Sequence, residues 1–153
     1  MRSPRLSNHW LKIKAREYHV FRQDLVPEDH VVDYEFMDMN EDVEVDMLRF
    51  AIGSGMYICS GKGLLAEIEI LGYVPEEKLP AFMAGTVNLD PILQEFNVEQ
   101  SKTASLRVWR GDGNTAVWYE NARECTCAVN CGDITFYLDG DNTMIGFIVR
   151  EVG

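Results

Sequence analysis

The sequence predicts an α+β fold: a mainly antiparallel β-sheet ending in a C-terminal meander, with two or three short helices. Three observations predict it. Residues 104–150 alternate apolar and polar side chains between turns rich in Gly, Asp and Asn. Residues 43–71 do the same around Gly53-Ser54-Gly55 and Ser60-Gly61-Lys62-Gly63. Between them, Pro75-Glu76-Glu77 and Asp90-Pro91 have helix-start chemistry, because proline is tolerated in a first turn and acids complement the positive end of the dipole.

In chain order, the first segment fits two patterns. Leu11, Ala15, Tyr18 and Leu25 roughly follow helical spacing, with Ser7 or Asn8 as cap, while Leu11, Ile13 and Ala15 alternate as in a strand. The helix is preferred because Lys, Arg, Ala, Glu and Gln fill the segment. Pro27 ends it. Val32, Tyr34 and Phe36 alternate with Asp33 and Glu35, which reads as a half-buried strand. Strands follow over Met47–Ile52, Met56–Cys59 and Leu64–Leu71. Helices are expected from Pro75 and, with Asp90 as N-cap, over Ile92–Phe96, separated by Gly85. Five strands then form the meander: Ala104–Arg110, Ala116–Glu120, Arg123–Val129, Ile134–Leu138 and Met144–Val149. With 153 residues the chain suits a single domain, 1–153. It divides into a basic segment 1–22, an acidic segment with β-hairpins 24–72, short helices 75–98 and the meander 104–150.

An internal echo links two hairpins. Met56-Tyr57-Ile58-Cys59, a Gly-containing turn and Leu64-Leu65-Ala66-Glu67-Ile68 match Ile134-Thr135-Phe136-Tyr137, a similar turn and Met144-Ile145-Gly146-Phe147-Ile148. Duplication and the generic likeness of two hairpins both explain it. Ile134-Thr135-Phe136-Tyr137-Leu138, the Asp/Gly turn and Met144-Ile145-Gly146-Phe147-Ile148-Val149 resemble the end of a small bacterial family of uncharacterised domains. Leu106-Arg107-Val108-Trp109 matches that family's opening strand. The resemblance covers residues 104–149 and implies a fold without an activity.

Charge is the most informative quantity. The net charge is −11, yet residues 1–22 hold six basic side chains against one acid. The other 131 residues therefore carry −16. Ten carboxylates and no Lys or Arg lie between Asp24 and Asp46. Such a field repels phosphate backbones, which argues against nucleic acid, and suits a basic protein partner or a solvated face. No apolar run approaches the roughly 20 residues a membrane span needs. The N-terminus lacks the apolar core of a secretory signal, so a cytoplasmic location is expected.

Cys125, Cys127 and Cys131 have C-x-C-x3-C spacing rather than a zinc knuckle. The preferred reading puts Cys125, Cys127 and Val129 in one inward strand row, with the thiols free and holding neither metal nor cofactor; metal or redox chemistry is the alternative. Ser60–Gly63 misses the P-loop register and its hydroxyl. Asp139-Gly140-Asp141-Asn142 lacks the EF-hand register, and Arg110-Gly111-Asp112 reads as a turn. No catalytic signature surrounds His9, His19 or His30. The expected function is a non-enzymatic interaction module that binds or neutralises a basic protein, of the immunity, antitoxin or phage-inhibitor type. The candidate contact residues are Asp38, Glu41, Asp42 and Glu44, with Trp109 and Trp118 as aromatic anchors if they are exposed. A structural homo-oligomeric β module of unknown role, such as a homodimer, and a cysteine-centred metal protein are the alternatives.

Overall fold

Strand-forming alternation governs nearly the whole chain, and an all-β fold replaces the expected α+β mixture. The structure, a computed structural model, describes residues 3–6, 10–38, 44–51, 56–84, 90, 92–99, 105–120 and 124–151; over 3–6, 10, 44–51 and 56–61 it gives the backbone path. Among these residues the helical elements are one 3-10 turn, Pro27–Asp29, and one four-residue turn, α1 (Ala81–Ala84). The strands are β1 (Ser3–Leu6), β2 (Trp10–Lys14), β3 (Arg22–Val26), β4 (Val31–Glu35), β5 (Glu44–Ala51), β6 (Met56–Gly61) and β7 (Leu64–Ile70). They continue as β8 (Glu95–Glu99), β9 (Leu106–Gly111), β10 (Asn114–Tyr119), β11 (Cys127–Cys131), β12 (Ile134–Leu138) and β13 (Met144–Arg150).

Each expected helix fails for an identifiable reason. In β2, Leu11 and Ile13 are buried while Lys12 and Lys14 stay out. Burying such a side chain is worth about 1.5–3 kcal/mol, against at most about 0.7 kcal/mol per residue of helix propensity. At Pro75 the chain lies along the edge of β9, where Pro75 bridges to Val108 and the Glu76 N–H donates to the Val108 carbonyl at 2.6 Å. The helical turn forms after Pro80 instead, whose carbonyl accepts from Met83 and Ala84. Asp90 does make a cap-like contact, its carboxylate accepting the Ile92 N–H at 3.0 Å. But Phe96 and Val98 bury alternately, so β8 forms and pairs with β2. Gly85 lies outside the described residues.

Two sheets and a ribbon result. The first sheet has the order β1-β5-β6-β7-β4-β3, the second β11-β12-β13-β10-β9, and β2 with β8 forms the ribbon. The C-terminal strands are therefore not a simple meander, because β13 returns to pair with β10 and leaves β11 at one edge.

Apart from β1, which pairs parallel to β5, the two sheets have one topology. Strands β3 to β7 and β9 to β13 run in the same order with the same antiparallel pairings. The β6–β7 hairpin pairs Met56↔Ile70 through Cys59↔Glu67, then skips Ala66 to reach Ser60↔Leu65. The β12–β13 hairpin pairs Ile134↔Val149 through Tyr137↔Gly146, then skips Ile145 to reach Leu138↔Met144. A shared bulge at one register position is more than generic hairpin likeness, since bulges re-aim strands at chosen sites. The equivalence sets Glu67 against Gly146 and Leu65 against Met144. This shifts the second strand by one residue from the alignment that the sequence echo suggests.

Inner faces of both sheets share one core with the ribbon. Val32 and Tyr34, Ile68 and Ile70, Val108, Phe136 and Phe147 all contribute. Phe136 lies 4.5 Å from Phe96 of the ribbon and 6.2 Å from Phe147, centroid to centroid. A polar link crosses this core: the Tyr34 hydroxyl is 2.6 Å from Thr115 Oγ1 and donates to Glu151 Oε1 at 2.8 Å.

Candidate functional site

Strand alternation and register together build two different outer faces at equivalent positions. Among the described side chains of the first sheet, two outward cross-strand rows are formed by Arg22 and Asp24 (β3), Asp33 and Glu35 (β4), and Glu67 and Glu69 (β7). The register aligns Asp24, Asp33 and Glu69 in one cross-strand row and Arg22, Glu35 and Glu67 in the next. On the second sheet the same six positions are Arg107, Trp109, Ala116, Trp118, Gly146 and Ile148. Apart from Arg107 these positions are apolar, and Leu79, Phe82 and Met83 pack on that face. Gly146 allows the cover to lie close, because a Cβ there would meet Met83 Cε and the Val117 carbonyl at 2.7 Å. One repeat thus closes its outer face with its own chain, while the other presents, among its described side chains on β3, β4 and β7, five carboxylates around one guanidinium.

Like charges directly opposite one another on a sheet destabilise it. The proton balance shows this. Burial, the hydrogen bond it shares with Glu67 and the charges of Glu67, Glu69 and Glu35 push the Asp33 carboxyl up to about 8. A hydrogen bond between two carboxyls requires one to hold a proton. Asp33 Oδ1 is buried without a hydrogen-bond partner. Glu69 is also raised, by burial and then by Glu67. Arg22 answers part of the charge: Nη2 lies 3.1 Å from Asp24 and Nε 3.6 Å from Glu35.

The pH dependence follows with a definite sign. A carboxyl whose folded value exceeds its unfolded value stabilises fully below the unfolded value and loses that contribution as pH rises. For Asp33 the loss runs from about pH 4 to about pH 8. Asp33→Asn should match the wild type near pH 4 and exceed it by roughly 1–2 kcal/mol at pH 8.5, a figure already reduced for solvent screening. Thermal melts across this range check it, and a difference that does not grow with pH contradicts the proton-sharing geometry.

One oxygen each of Asp24, Asp33 and Glu35 lies within 4.8 Å of the others. Hard cations accept such oxygens, but the Arg22 guanidinium already sits on Asp24 and Glu35, so the arrangement accommodates an organic cation. Among the described side chains of the basic N-terminal segment, two more cations have partners of their own. Lys12 pairs with Glu95 at 3.1 Å, and Arg16 lies over the Tyr18 ring.

Of the residues expected from sequence, Asp38 is exposed just beyond β4, and Glu44 opens β5. Glu41 and Asp42 lie outside the described residues. Trp109 and Trp118 are half-buried and pack with Met83, Ala116 and Tyr137 on the second sheet. Glu67 and Glu69 escaped the sequence reading, which sought acids in one contiguous segment. Their signal was the alternation Ala66-Glu67-Ile68-Glu69-Ile70, which puts both acids on one face.

The thiols have another arrangement than the expected row. Cys127 and Cys131 face the main core with Val129, but Cys125 lies before β11 and packs on the opposite face. Burial raises all three thiols, Cys131 to about 11, which keeps them protonated and poorly nucleophilic at neutral pH. His19 lies 3.6 Å from Asp133, and His30 stacks on Tyr73 at 5.7 Å. The Asp139 carboxylate accepts the backbone N–H groups of Asp141 and Thr143, closing its turn. Among the described residues no helix is long and apolar enough to cross a membrane. No protein-family model matches the chain, and no curated protein matches it.

Proposed function

We propose that the protein is a non-enzymatic interaction module whose carboxylate face, on β3, β4 and β7, binds a basic segment of a partner protein. Binding of this kind would neutralise the partner, as an immunity protein, an antitoxin or a phage-type inhibitor does. One observation carries the reading. Five carboxylates occupy the positions that the second sheet devotes to its apolar covered face, and they stay there although burial and their mutual repulsion raise the Asp33 carboxyl. A cationic side chain relieves that repulsion, and Arg22 shows how a guanidinium seats on Asp24 and Glu35. Charge of this sign also speeds encounter with a basic partner and selects it.

Oligolysine is the test probe, with three proteins compared. Asp24→Asn, Asp33→Asn, Glu67→Gln and Glu69→Gln together neutralise the face. Glu28→Gln, Glu77→Gln, Glu99→Gln and Glu124→Gln remove at least as much charge from exposed positions elsewhere. The face variant should lose at least about tenfold in affinity and most of the salt dependence, while the second variant stays close to wild type. Equal losses in both variants would reduce the effect to net charge and remove the site.

A further inference from the structure

The chain holds two Asp-Gly junctions, Asp112-Gly113 and Asp139-Gly140, and no Asn-Gly. The fold gives the two opposite surroundings. Asp139 is 5% accessible, and its Oδ1 accepts the backbone N–H groups of Asp141 at 2.8 Å and Thr143 at 3.1 Å. Asp112 and Gly113 are both exposed. They form the two-residue turn between β9 and β10, closed by the Gly111↔Asn114 pair. φ is +53° at Asp112 and +76° at Gly113, the signature of a type I′ turn. Among the described residues no hydrogen bond holds the Asp112 carboxylate or the Gly113 N–H. Beyond its chain neighbours, nothing lies within 4 Å of where a Gly113 Cβ would stand.

We infer that Asp112-Gly113 is a site of spontaneous backbone modification, where the folded turn permits the aspartate-to-isoaspartate rearrangement that the Asp139 turn prevents. The Gly113 nitrogen attacks Asp112 Cγ and forms a C–N bond. The amide proton and the hydroxyl of the protonated carboxyl leave as water, which closes a succinimide ring. Water then reopens the ring. Attack at the Asp112 main-chain carbonyl breaks its bond to the Gly113 nitrogen and leaves the chain running through Cβ, whereas attack at Cγ restores aspartate. Ring closure needs the Gly113 nitrogen to eclipse Cβ, at an Asp112 ψ of about −120°, the value a type II′ turn has there. Flipping the single peptide between Asp112 and Gly113 converts type I′ to type II′. Both types suit a two-residue hairpin, so the Gly111↔Asn114 pair stays in place. Gly113 accepts the change in the sign of φ, and Asp112 needs the strained conformation only transiently. At Asp139 the same approach would first break two hydrogen bonds to a buried carboxylate. The isoaspartyl product adds one backbone carbon beside Gly113, whose carbonyl accepts the Glu151 N–H at 2.8 Å. The modification therefore falls next to the strand end that carries Glu151.

The test incubates the folded protein at neutral pH in water enriched in oxygen-18, followed by trypsin digestion in ordinary water and mass spectrometry. Each ring opening leaves one labelled oxygen at the residue that formed the ring. Cleavage after Arg110, Arg123 and Arg150 separates the junctions into peptides 111–123 and 124–150, and fragmentation assigns the label to a residue. Label and isoaspartate should accumulate at Asp112 at least about tenfold faster than at Asp139, whose two bonds must open first. In guanidinium chloride, where the fold is lost, the two junctions should react at similar rates. Asp112→Glu, which would have to close a larger ring, should lose the label at position 112 and keep the slow rate at Asp139. Equal rates at the two junctions of the folded protein would overturn the inference. So would an Asp112 rate more than about tenfold below that in denaturant, because the turn would then lock the junction rather than leave it open.

Discussion

Gly132→Ala should lower stability by about 2–5 kcal/mol, combining a left-handed backbone cost of about 1–2 with overpacking of about 1–3. Gly132 opens the turn between β11 and β12 with φ +71°. A Cβ there would run into the Tyr18 carbonyl oxygen and lie 2.9 Å from the Tyr18 nitrogen. Those atoms belong to the segment that caps the β11 edge: the Tyr18 N–H donates to the Cys131 carbonyl, and the Tyr18 carbonyl accepts from Asp133. Backbone on both sides leaves no flexible side chain to move aside. Gly113→Ala is the matched control, because Gly113 has φ +76° with nothing within 4 Å of a Cβ. It should pay the backbone cost alone, about 1–2 kcal/mol. The melting temperature should fall by roughly 10 °C for Gly132→Ala and by roughly 4 °C for Gly113→Ala. Equal shifts would mean that the Tyr18 segment does not lie against this turn.

Glu151→Ala should cost about 2–4 kcal/mol, because it strands a shielded guanidinium and a buried hydroxyl together. Glu151 Oε1 accepts from Tyr34, from Thr115 at 3.0 Å and from Arg110, while Arg110 also reaches the Tyr73 hydroxyl. The set joins β4 to β9 and β10, so it ties one sheet to the other. Burial alone would raise the Glu151 carboxyl, but the hydrogen bonds from Tyr34, Arg110 and Thr115 outweigh it and leave the group lowered. A lowered carboxyl stabilises above its ordinary value and loses that contribution as pH falls. Wild type should therefore weaken on acidification below about pH 4.5, and Glu151→Gln should be flatter there while less stable at pH 7. Denaturant melts at several pH values read both effects. An acid dependence identical in the two proteins would remove Glu151 from this role.

The strands were legible wherever burial alternates. Val32, Tyr34 and Phe36 are buried as their spacing predicts, and Leu106 with Val108 faces the core. The helix signals misled because capping chemistry is local, whereas the demand for edge coverage is not. Nothing near Pro75 in sequence shows that Val108 will need a hydrogen-bond partner. The shared topology of the two sheets was half legible: the hairpin echo was visible, but its register depended on bulges that skip Ala66 and Ile145. The acidic character of the site was legible in residues 24–46, and its membership was not. Cross-strand pairing joins Glu67 and Glu69 to Asp33 and Glu35 across more than 30 residues of chain. The two tryptophans stood out in the sequence, but their contact with Met83 depended on where the 79–84 segment lies.

Hydrogen exchange of the protein with and without oligolysine tests the central claim most directly. The expected result is slower exchange in β3, β4 and β7, lost in the protein carrying Asp24→Asn, Asp33→Asn, Glu67→Gln and Glu69→Gln. Protection that falls instead on β9 and β10, around Trp109 and Trp118, or that spreads evenly over the molecule, would contradict the assignment of the carboxylate face as the binding surface.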